Sequence, residues 1–278
     1  MAEKKEKNRE DFDNKIYDEI NIHSINIEDK KYSEGLEILK EGFKSFNIIY
    51  DDLMIKKLIV FYEMLVEKNK VMNLTGITEF KEVVIKHFLD SISIVKVCDE
   101  FLKIRECDSR DSYKVIDVGT GAGFPGIPLK IVFPELKITL LDSLNKRLVF
   151  LNEVIEKLGL NGIQTVHIRA EEAGKSKKFR ESFDIACARA VASLPVLLEY
   201  CTPLVKKGGC FVAMMGPSAK EEVENSENAL KELGIEKPQI KFETLTGEEQ
   251  RAFVIAKKIS QTPPKYPRKP NDISKQPL

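Results

Sequence analysis

The sequence has no excess of positive or negative charge and no closely spaced pair of cysteines. Both absences bear on which functions and binding sites the protein can have. Lys and Arg together number 44, as do Asp and Glu, so the formal net charge is zero. A balanced total does not indicate nucleic-acid binding, although it can conceal a local basic patch. The five cysteines include no CxxC pair, which argues against a disulfide framework and against a zinc site. We therefore expect a protein of a reducing cytoplasm that holds no metal.

Long apolar runs are also absent. The first ten residues are mostly charged, without the apolar stretch of a signal peptide, and no run of 18 apolar residues occurs. We therefore expect neither secretion nor a membrane span. With 42% hydrophobic and 32% charged residues, the 278 residues can bury a core. This length fits one α/β domain with extensions.

Hydrophobic periodicity divides the chain into four parts. Residues 1–34 mix both charge signs without a sustained period, which predicts a mobile or weakly helical extension. Residues 35–110 have apolar residues at helical spacing and predict a helical cap. Residues 111–258 alternate short β-rich runs with helical stretches, which is typical of a parallel sheet. Residues 259–278 form a basic, proline-containing tail for which we expect no regular structure.

The periodicity also gives approximate bounds for the elements. Predicted helices of the cap span residues 36–47, 53–70 and 79–102. Predicted core strands span residues 115–118, 137–141, 163–168, 183–188, 209–214, 239–243 and 251–257. Predicted core helices span residues 125–132, 145–158, 193–205 and approximately 219–233.

A glycine-rich turn directly follows the first predicted core strand and is the most informative segment. It places Gly119, Gly121 and Gly123 at alternate positions after Asp117. Glycine lets the backbone turn tightly and lie against a ligand without a Cβ in the way. Asp142 ends the next predicted strand, where a carboxylate can accept hydrogen bonds from ribose hydroxyls. The pattern indicates a nucleotide-like cofactor; a nicotinamide, or a turn that serves only helix packing, is the alternative.

The acidic residue immediately before the glycines resembles the first motif of class I S-adenosylmethionine-dependent methyltransferases. This resemblance implies a Rossmann-like α/β fold with a seven-stranded, mostly parallel sheet behind the N-terminal helical cap. It also implies S-adenosyl-L-methionine as the cofactor. The residues of the turn and the next strand that would bind it are Asp117, Gly119, Gly121, Gly123 and Asp142.

Further motifs narrow the resemblance to one family. They read, in chain order, Asn73-Leu74-Thr75, His87-Phe88-Leu89-Asp90-Ser91, the run Asp117 to Leu129, Leu140-Leu141-Asp142-Ser143, Lys146-Arg147, Arg169-Ala170-Glu171-Glu172, Ala188-Arg189-Ala190, and Lys265 to Pro270. From about residue 37 to its end, the chain resembles the small-subunit ribosomal RNA guanine-N7 methyltransferases, also called glucose-inhibited division protein B. It departs from that family at Met215, where a lysine is common, and at Asn271, where a glycine is common.

The family resemblance implies methyl transfer from S-adenosylmethionine to N7 of one guanine in the decoding-region loop of 16S ribosomal RNA. It implies that Gly119 and Phe124 line the methionine and ribose side of the cofactor. Ala170 and Glu171 would meet the adenine, and Arg189 would face the transfer site. Methylation of another RNA site, or a ribosome-assembly factor that binds the cofactor without turnover, remains an alternative. We expect a monomer whose partner is the small ribosomal subunit or its RNA.

The chemistry of N7 requires no general base, because this nitrogen has an exposed lone pair and no proton at neutral pH. Alignment of the reacting atoms can supply roughly 7 to 11 kcal/mol of the barrier. The expected catalytic contribution is therefore positioning, with Arg189 as the candidate. Arg189 can donate to guanine O6 or to a phosphate, or it can cap a strand end through a carboxylate. Cys187, on a buried predicted strand, is expected to pack in the core.

Two further groups of residues are predicted to lie near the substrate. Asn73, His87 and Asp90 can form a lid over the cofactor, although His87 can equally be a packing histidine. Local charge must supply the RNA contacts, and a tyrosine of the tail can stack on a base. The tail residues in this group are Lys265, Tyr266, Arg268, Lys269 and Lys275, with Lys146 and Arg147 as additions from the core. The alternative is a solvated, disordered tail.

Overall fold

A single seven-stranded sheet forms the centre of the computed structural model, which describes residues 17, 20–98, 101, 113–189, 192–245 and 250–278. The strands are β1 Lys114–Val118, β2 Lys137–Asp142, β3 Ile163–His167, β4 Phe183–Arg189, β5 Val205–Met215, β6 Gln239–Thr244 and β7 Gln250–Lys257. Their order is β3-β2-β1-β4-β5-β7-β6. Strands β1 to β5 are parallel, whereas β7 is antiparallel to β5 and β6. This confirms the predicted seven-stranded, mostly parallel methyltransferase fold.

Helices precede the sheet and connect its strands. Those before the sheet are α1 Ser33–Ser45, α2 Asp52–Met72, α3 Phe80–Val83, α4 Asp90–Ile92 and α5 Ile94–Val97. Those within and after it are α6 Gly126–Val132, α7 Asn145–Lys157, α8 Ala170–Lys175, α9 Leu194–Cys201, α10 Ala219–Glu224, α11 Glu227–Leu233 and α12 Pro270–Lys275. Within the described ranges, no helix is long and apolar enough to span a bilayer.

The sheet separates two buried clusters because successive strand residues point to opposite faces. On β1, Val115 packs with the cap helices, α6 and α7, whereas Ile116 packs with α8, α9, α10 and α11. Both clusters are apolar, so the central strands are buried on both faces, as is usual for parallel sheets. This burial fixes the strand register and therefore the position of each strand's carboxyl end.

The longest cap helix has clear start and stop signals. The side chain of Asp51 accepts a hydrogen bond from the backbone N–H of Met54 and caps the start of α2. Asn73 ends the helix in the left-handed conformation, with φ of +49°. The same residue therefore acts as a helix C-cap, which directs the following Leu74 and Thr75 away from the helix.

The third cap helix departs from the single α-helix predicted for residues 79–102. Between α3 and α4, Val84–Leu89 form a π-helical turn, and Ser93 separates α4 from α5. A π turn holds one more residue than an α turn and therefore changes the face that the following side chains occupy; such turns are frequent at functional sites. Here it carries His87 and immediately precedes Asp90.

The predicted N-terminal extension is packed where the structure describes it. Tyr17 and Tyr32 are both buried, and the carbonyl of Tyr17 accepts a hydrogen bond from Nζ of Lys157 at 2.7 Å. The hydroxyl of Tyr32 donates to Glu63 at 2.5 Å. The described part of the extension therefore packs against the cap and the core, and it includes a 3₁₀ turn at Lys30–Tyr32; that the extension is mobile or weakly helical stays a prediction. Residues 1–16, 18 and 19 lie outside the described ranges.

The tail also differs from its prediction, because it packs on the core and contains the helix α12. Arg180 donates to the backbone carbonyls of Thr262, Pro263 and Tyr266 at 2.6, 3.3 and 2.8 Å. Ile273 of α12 is fully buried. The prediction that the tail has no regular structure is therefore wrong, because its few apolar residues are buried and its backbone is held by an arginine.

Smaller differences concern helix bounds. The helix predicted for residues 193–205 is α9 followed by a 3₁₀ turn, Thr202–Leu204, after which β5 begins at Val205. The helix predicted near residues 219–233 is divided into α10 and α11. Helix α8 was not predicted, since six residues are too few to show a helical period.

Candidate cofactor and substrate site

A cavity of about 470 Å³ lies at the carboxyl ends of β1 to β4. Ligands bind at this edge in open α/β sheets, because the loops that leave the parallel strands converge there. Its lining includes the backbone of residues 118–122, Phe124, Asp142, Ala170, Glu171 and Arg189. The structure therefore brings together residues from four separated sequence motifs.

The glycine-rich turn is shaped by hydrogen bonds to β2. The N–H groups of Gly119 and Thr120 donate to the carbonyl of Leu141 at 2.8 and 3.1 Å. Gly121 has φ of +59°, and a Cβ built on it would find its nearest heavy atom, the carbonyl oxygen of Gly119, 3.9 Å away. Gly121 thus borders open space in the cavity, which is the close backbone approach that a glycine permits.

Asp142 connects this turn to the end of β2. Its carboxylate is buried, and it accepts from the N–H of Gly121 at 3.0 Å and of Leu144 at 2.8 Å. Arg147 Nη1 lies 3.3 Å from Oδ2. A carboxylate offers about four lone-pair positions, so Asp142 retains acceptor capacity toward the cavity. This is the property expected of a residue that binds ribose hydroxyls.

Two residues predicted to bind the cofactor support the turn instead. A Cβ on Gly123 would lie 2.7 Å from Ile127 and 2.8 Å from Leu151, so this glycine permits helix packing. Asp117 is fully buried and accepts from Thr120 Oγ1 at 2.6 Å and from the N–H of Gly126 at 2.9 Å. Burial raises the pKa of Asp117 to about 6 against the effect of these two donors. Neither residue lines the cavity.

Glu171 provides a direct sign that the cavity takes a polar ligand. It is buried at the start of α8, and its Oε1 has no hydrogen-bond partner in the described part of the chain. A buried acceptor without a partner costs about 1–3 kcal/mol. A ligand that donates a hydrogen bond there, as the exocyclic amine of adenine does, would remove that cost. Together with the open space at Gly121, this orphan oxygen fits S-adenosylmethionine.

Phe124 and His87 form another part of the wall of the cofactor cavity. Their rings stack with centroids 4.6 Å apart, and the guanidinium of Arg189 lies 4.9 Å from the Phe124 centroid. His87 Nε2 is 2.8 Å from Thr75 Oγ1, and its Nδ1 is 2.9 Å from the Lys86 carbonyl. Burial, followed by the charge of Arg189, lowers the pKa of His87 to about 4. The imidazole is therefore neutral at pH 7. His87 packs against Phe124 and also lines the cavity.

A second cavity, of about 450 Å³, adjoins the first and shares His87, Arg189 and Leu197 with it. Its other lining residues include Met214, Met215 and Arg251. Arg251, at the start of β7, was not predicted from the sequence. Nothing in its local sequence distinguishes it from an exposed strand arginine, and only the antiparallel pairing of β7 with β5 places it here. Thr75 and Tyr200, which line the first cavity, were also not assigned.

Of the tail residues predicted to contact RNA, some are bonded to carboxylates of the protein itself and others are exposed to solvent. Lys265 and the hydroxyl of Tyr266 both bond to Glu232, at 2.9 and 2.8 Å. Arg268 is held by the buried carboxylate of Glu199 through contacts of 2.6 to 3.1 Å. Lys269 is exposed. Because Tyr266 is only 4% exposed, its predicted stacking on a base does not fit this structure, and Arg268 is committed to an internal ion pair.

The remaining predictions for this region concern Asn73 and the cysteines. Asn73 is the C-cap of α2 and does not line the cofactor cavity, whereas the adjoining Leu74 and Thr75 do. Cys187 is fully buried on β4, and burial raises the pKa of its thiol well above the usual value. Core packing is thus confirmed for Cys187. In the described ranges no group of three His, Cys, Asp or Glu residues could hold a metal ion.

Known proteins are similar to this chain over most of its length. Residues 54–253 match the family model described as rRNA small subunit methyltransferase G. A protein of Acetivibrio thermocellus described as ribosomal RNA small subunit methyltransferase G is 51% identical over 251 residues, covering 90% of this chain and 99% of that protein. Proteins of the same description from Alkaliphilus metalliredigens and Thermoanaerobacter sp. are 49% and 51% identical, each covering 88% of this chain and 99% of the relative.

Proposed function

The chain belongs to the rRNA small subunit methyltransferase G family, and from this premise we propose how its site methylates N7 of a guanine in the decoding-region loop of 16S ribosomal RNA. It is an S-adenosylmethionine-dependent methyltransferase of small-subunit ribosomal RNA. The observation that carries the proposal is the pair of adjoining cavities, one suited to the cofactor and one to a base, which share the wall formed by His87, Arg189 and Leu197.

The first cavity has groups for each part of the cofactor. The unpaired Oε1 of Glu171 would accept from the adenine amine, beside Ala170. Asp142 would accept from the ribose hydroxyls, and the backbone at Gly119 and Gly121 would lie against the methionine portion. When bound, S-adenosylmethionine supplies a methyl group on a positively charged sulfur, which leaves as a neutral thioether.

The second cavity would receive the target guanine. Leu197, Met214 and Met215 give it apolar surfaces for the faces of a base, and Arg189 and Arg251 provide donors. A donor from Arg189 to guanine O6 would orient the base while leaving the N7 lone pair toward the first cavity. Met215 would offer a polarizable contact with the base.

No side chain needs to move a proton in this reaction. The lone pair of N7 would accept the methyl group that the bound cofactor supplies, the sulfur would leave as a thioether, and the guanine would become cationic without losing a proton. His87 is neutral and engaged by Thr75 and Lys86, which agrees with a role in shaping the wall. Catalysis by Arg189 and its neighbours is then alignment, which can supply roughly 7 to 11 kcal/mol.

The RNA beyond the target base would be held by exposed cations. Lys269 and Lys275 in the tail are exposed, and Arg147 and Arg169 border the first cavity. Lys146 lies in the first turn of α7, next to Arg147 in the chain. Such charges contact phosphates and position the substrate without reading its sequence. Within the same proposal the protein acts as a monomer in the cytoplasm, on the small subunit or its RNA.

Label transfer tests the proposed function. The pure protein is incubated with methyl-labelled S-adenosylmethionine and three substrates: small ribosomal subunits that lack the modification, protein-free 16S RNA, and large subunits. We expect label in the first or second substrate and none in the third. Label in large subunits would contradict the substrate class, and absence of label from all three would contradict the reaction.

A further inference from the structure

Asp90 is a buried carboxylate that holds two arginines from different strands. Its Oδ2 accepts from Arg189 Nη1 at 2.9 Å, and its Oδ1 accepts from Arg251 Nε at 3.0 Å. Only 5% of the Asp90 side chain is exposed. Charge-assisted bonds at such a depth are strong and directional. Both oxygens are thus engaged by guanidinium groups.

Three elements must come together for this arrangement. Arg189 ends β4, Arg251 lies at the start of β7, and Asp90 follows the π turn of the cap. Arg189 Nη1 also donates to the carbonyl of Lys86 at 3.1 Å, within the same π turn. The cap therefore fixes the direction of Arg189 from two positions, and Asp90 sets the spacing between the two arginines.

Both guanidinium groups line the second cavity, and Arg189 lines the first as well. A guanidinium has five N–H donors. In the described part of the chain, Arg189 uses Nη1 twice and directs Nη2 toward His87 at 3.4 Å. Its Nε–H and a second Nη2–H therefore remain for a ligand at the shared wall.

Charge provides a second, independent argument. Two arginines and one carboxylate give this cluster a net charge of +1, since His87 is neutral. Methyl transfer moves the positive charge from the sulfonium to the guanine, so further positive charge beside the guanine raises the free energy of the product. Without the carboxylate, the two arginines would repel each other and face the developing charge at +2.

On the basis of the proposed function, we propose that Asp90 is a positioning residue that sets Arg189 and Arg251 as donors for the target guanine. It acts through the two arginines, because both of its oxygens are occupied by them. This differs from the lid over the cofactor that the sequence predicts for Asp90.

The first test is Asp90→Asn, with Asp184→Asn as the matched control. Asp184 lies on the same strand as Arg189 but at its amino end, where it accepts from Lys206 Nζ and from the N–H of Lys114, each at 2.9 Å. We expect kcat on small subunits to fall roughly a hundredfold in Asp90→Asn. The Kd for S-adenosylmethionine, from calorimetry, should stay within about threefold in both variants, and Asp184→Asn should retain kcat.

A double variant tests whether Asp90→Asn lowers kcat through the position of Arg251 or through a general effect on folding. Arg251→Gln is combined with Asp90→Asn. If Asp90 acts through Arg251, the double variant should lose little more kcat than the more impaired single variant. If Asp90→Asn does not fold, Arg251→Lys serves instead: it keeps the charge but lacks the Nε–H that bonds Asp90, and it should lower kcat while cofactor affinity is retained.

Three results would overturn the positioning role: unchanged kcat in Asp90→Asn and Arg251→Lys, a parallel loss of cofactor affinity and kcat, or losses that multiply in the double variant. Failure of the unsubstituted protein to methylate any substrate is a distinguishable result. It contradicts the proposed function and removes the positioning role with it.

Discussion

At the scale of single residues, the cofactor cavity depends on Gly121, where a side chain would have room only inside the site. We predict that Gly121→Val raises the Kd for S-adenosylmethionine by roughly a hundredfold or more, because its methyl groups occupy the ligand's space. Gly159→Val is the matched control: Gly159 has φ of +58°, and a Cβ there would meet nothing within 4 Å in the described structure. Calorimetry measures the affinities.

Both glycine variants should lose a similar amount of stability, about 1–2 kcal/mol, because each places a side chain in the left-handed region. Urea unfolding checks this expectation. Full cofactor affinity in Gly121→Val, or an equal loss of affinity in Gly159→Val, would show that the cavity is not the cofactor site.

His87 gives a prediction for the pH dependence of stability. Its pKa falls from 6.5 to about 4 on folding, so below pH 6.5 the unfolded chain binds a proton that the folded chain does not. This contribution to stability is fully present above pH 6.5 and is lost as the pH falls toward 4. It amounts to about 3 kcal/mol. The free energy of unfolding, relative to that of His87→Gln, should decline by this amount over that range.

Urea unfolding of both proteins between pH 7 and pH 4 measures the difference. Asp117, whose pKa rises from 3.8 to about 6 on folding, contributes with the opposite sign but is common to both proteins and cancels. A constant difference across this range would contradict a buried, neutral His87.

Single residues also show how far the spacing of motif residues along the chain predicts their roles. The sequence correctly placed Gly121 and Asp142 beside one cavity, because a strand–turn–helix pattern has one geometry. Gly123 is two positions from Gly121, yet it serves helix packing. Distinguishing the two requires the three-dimensional positions of Ile127 and Leu151, which the spacing of the glycines does not give. Arg251 was missed for the same reason.

At the scale of elements, the tail is part of the folded core. We predict that deletion of residues 261–278 lowers the free energy of unfolding by about 3–5 kcal/mol, because Glu199, whose side chain is 0% exposed, loses its partner Arg268. Arg180 loses its carbonyl acceptors in the tail at the same time. Urea unfolding of the deleted and full-length chains gives the difference.

Substitution of Lys269 and Lys275 by Gln in the full chain is the control for the deletion, because these side chains are exposed and should change stability by less than about 0.5 kcal/mol. A deleted chain as stable as the full-length protein would show that the tail contacts carry little free energy. The deletion is accordingly unsuited to measuring RNA affinity.

Elements were predictable where their apolar pattern is continuous. Most of the core strands are short runs rich in apolar residues, and each predicted strand coincides with an observed one to within a few residues. The π turn at Val84–Leu89 was not predictable, because one additional residue alters the helical period only locally. The prediction for the tail was wrong because it relied on composition, which does not show that Arg180, 82 to 86 residues earlier in the chain, holds the tail's backbone.

At the scale of the whole molecule, a neutral chain must bind a polyanion through local charge. We predict that replacing Lys269 and Lys275 by Gln reduces the slope of log affinity for RNA against log salt concentration by about 1.4 to 1.8, which corresponds to two lost phosphate contacts. Lys114→Gln with Lys137→Gln is the matched control, because these lysines begin β1 and β2 at the edge opposite the cofactor cavity. Filter binding across salt concentrations measures the slopes, and equal slopes in the two double variants would exclude the tail lysines as contacts.

The most direct test of the account as a whole is the identity of the methylated nucleoside. Small subunits labelled by the protein are digested completely, and the labelled nucleoside is identified by chromatography and mass spectrometry, with its position mapped in the RNA. The account predicts N7-methylguanosine at one position in the decoding-region loop. Label at a base nitrogen that must lose a proton, on a ribose, or spread over many positions would contradict it.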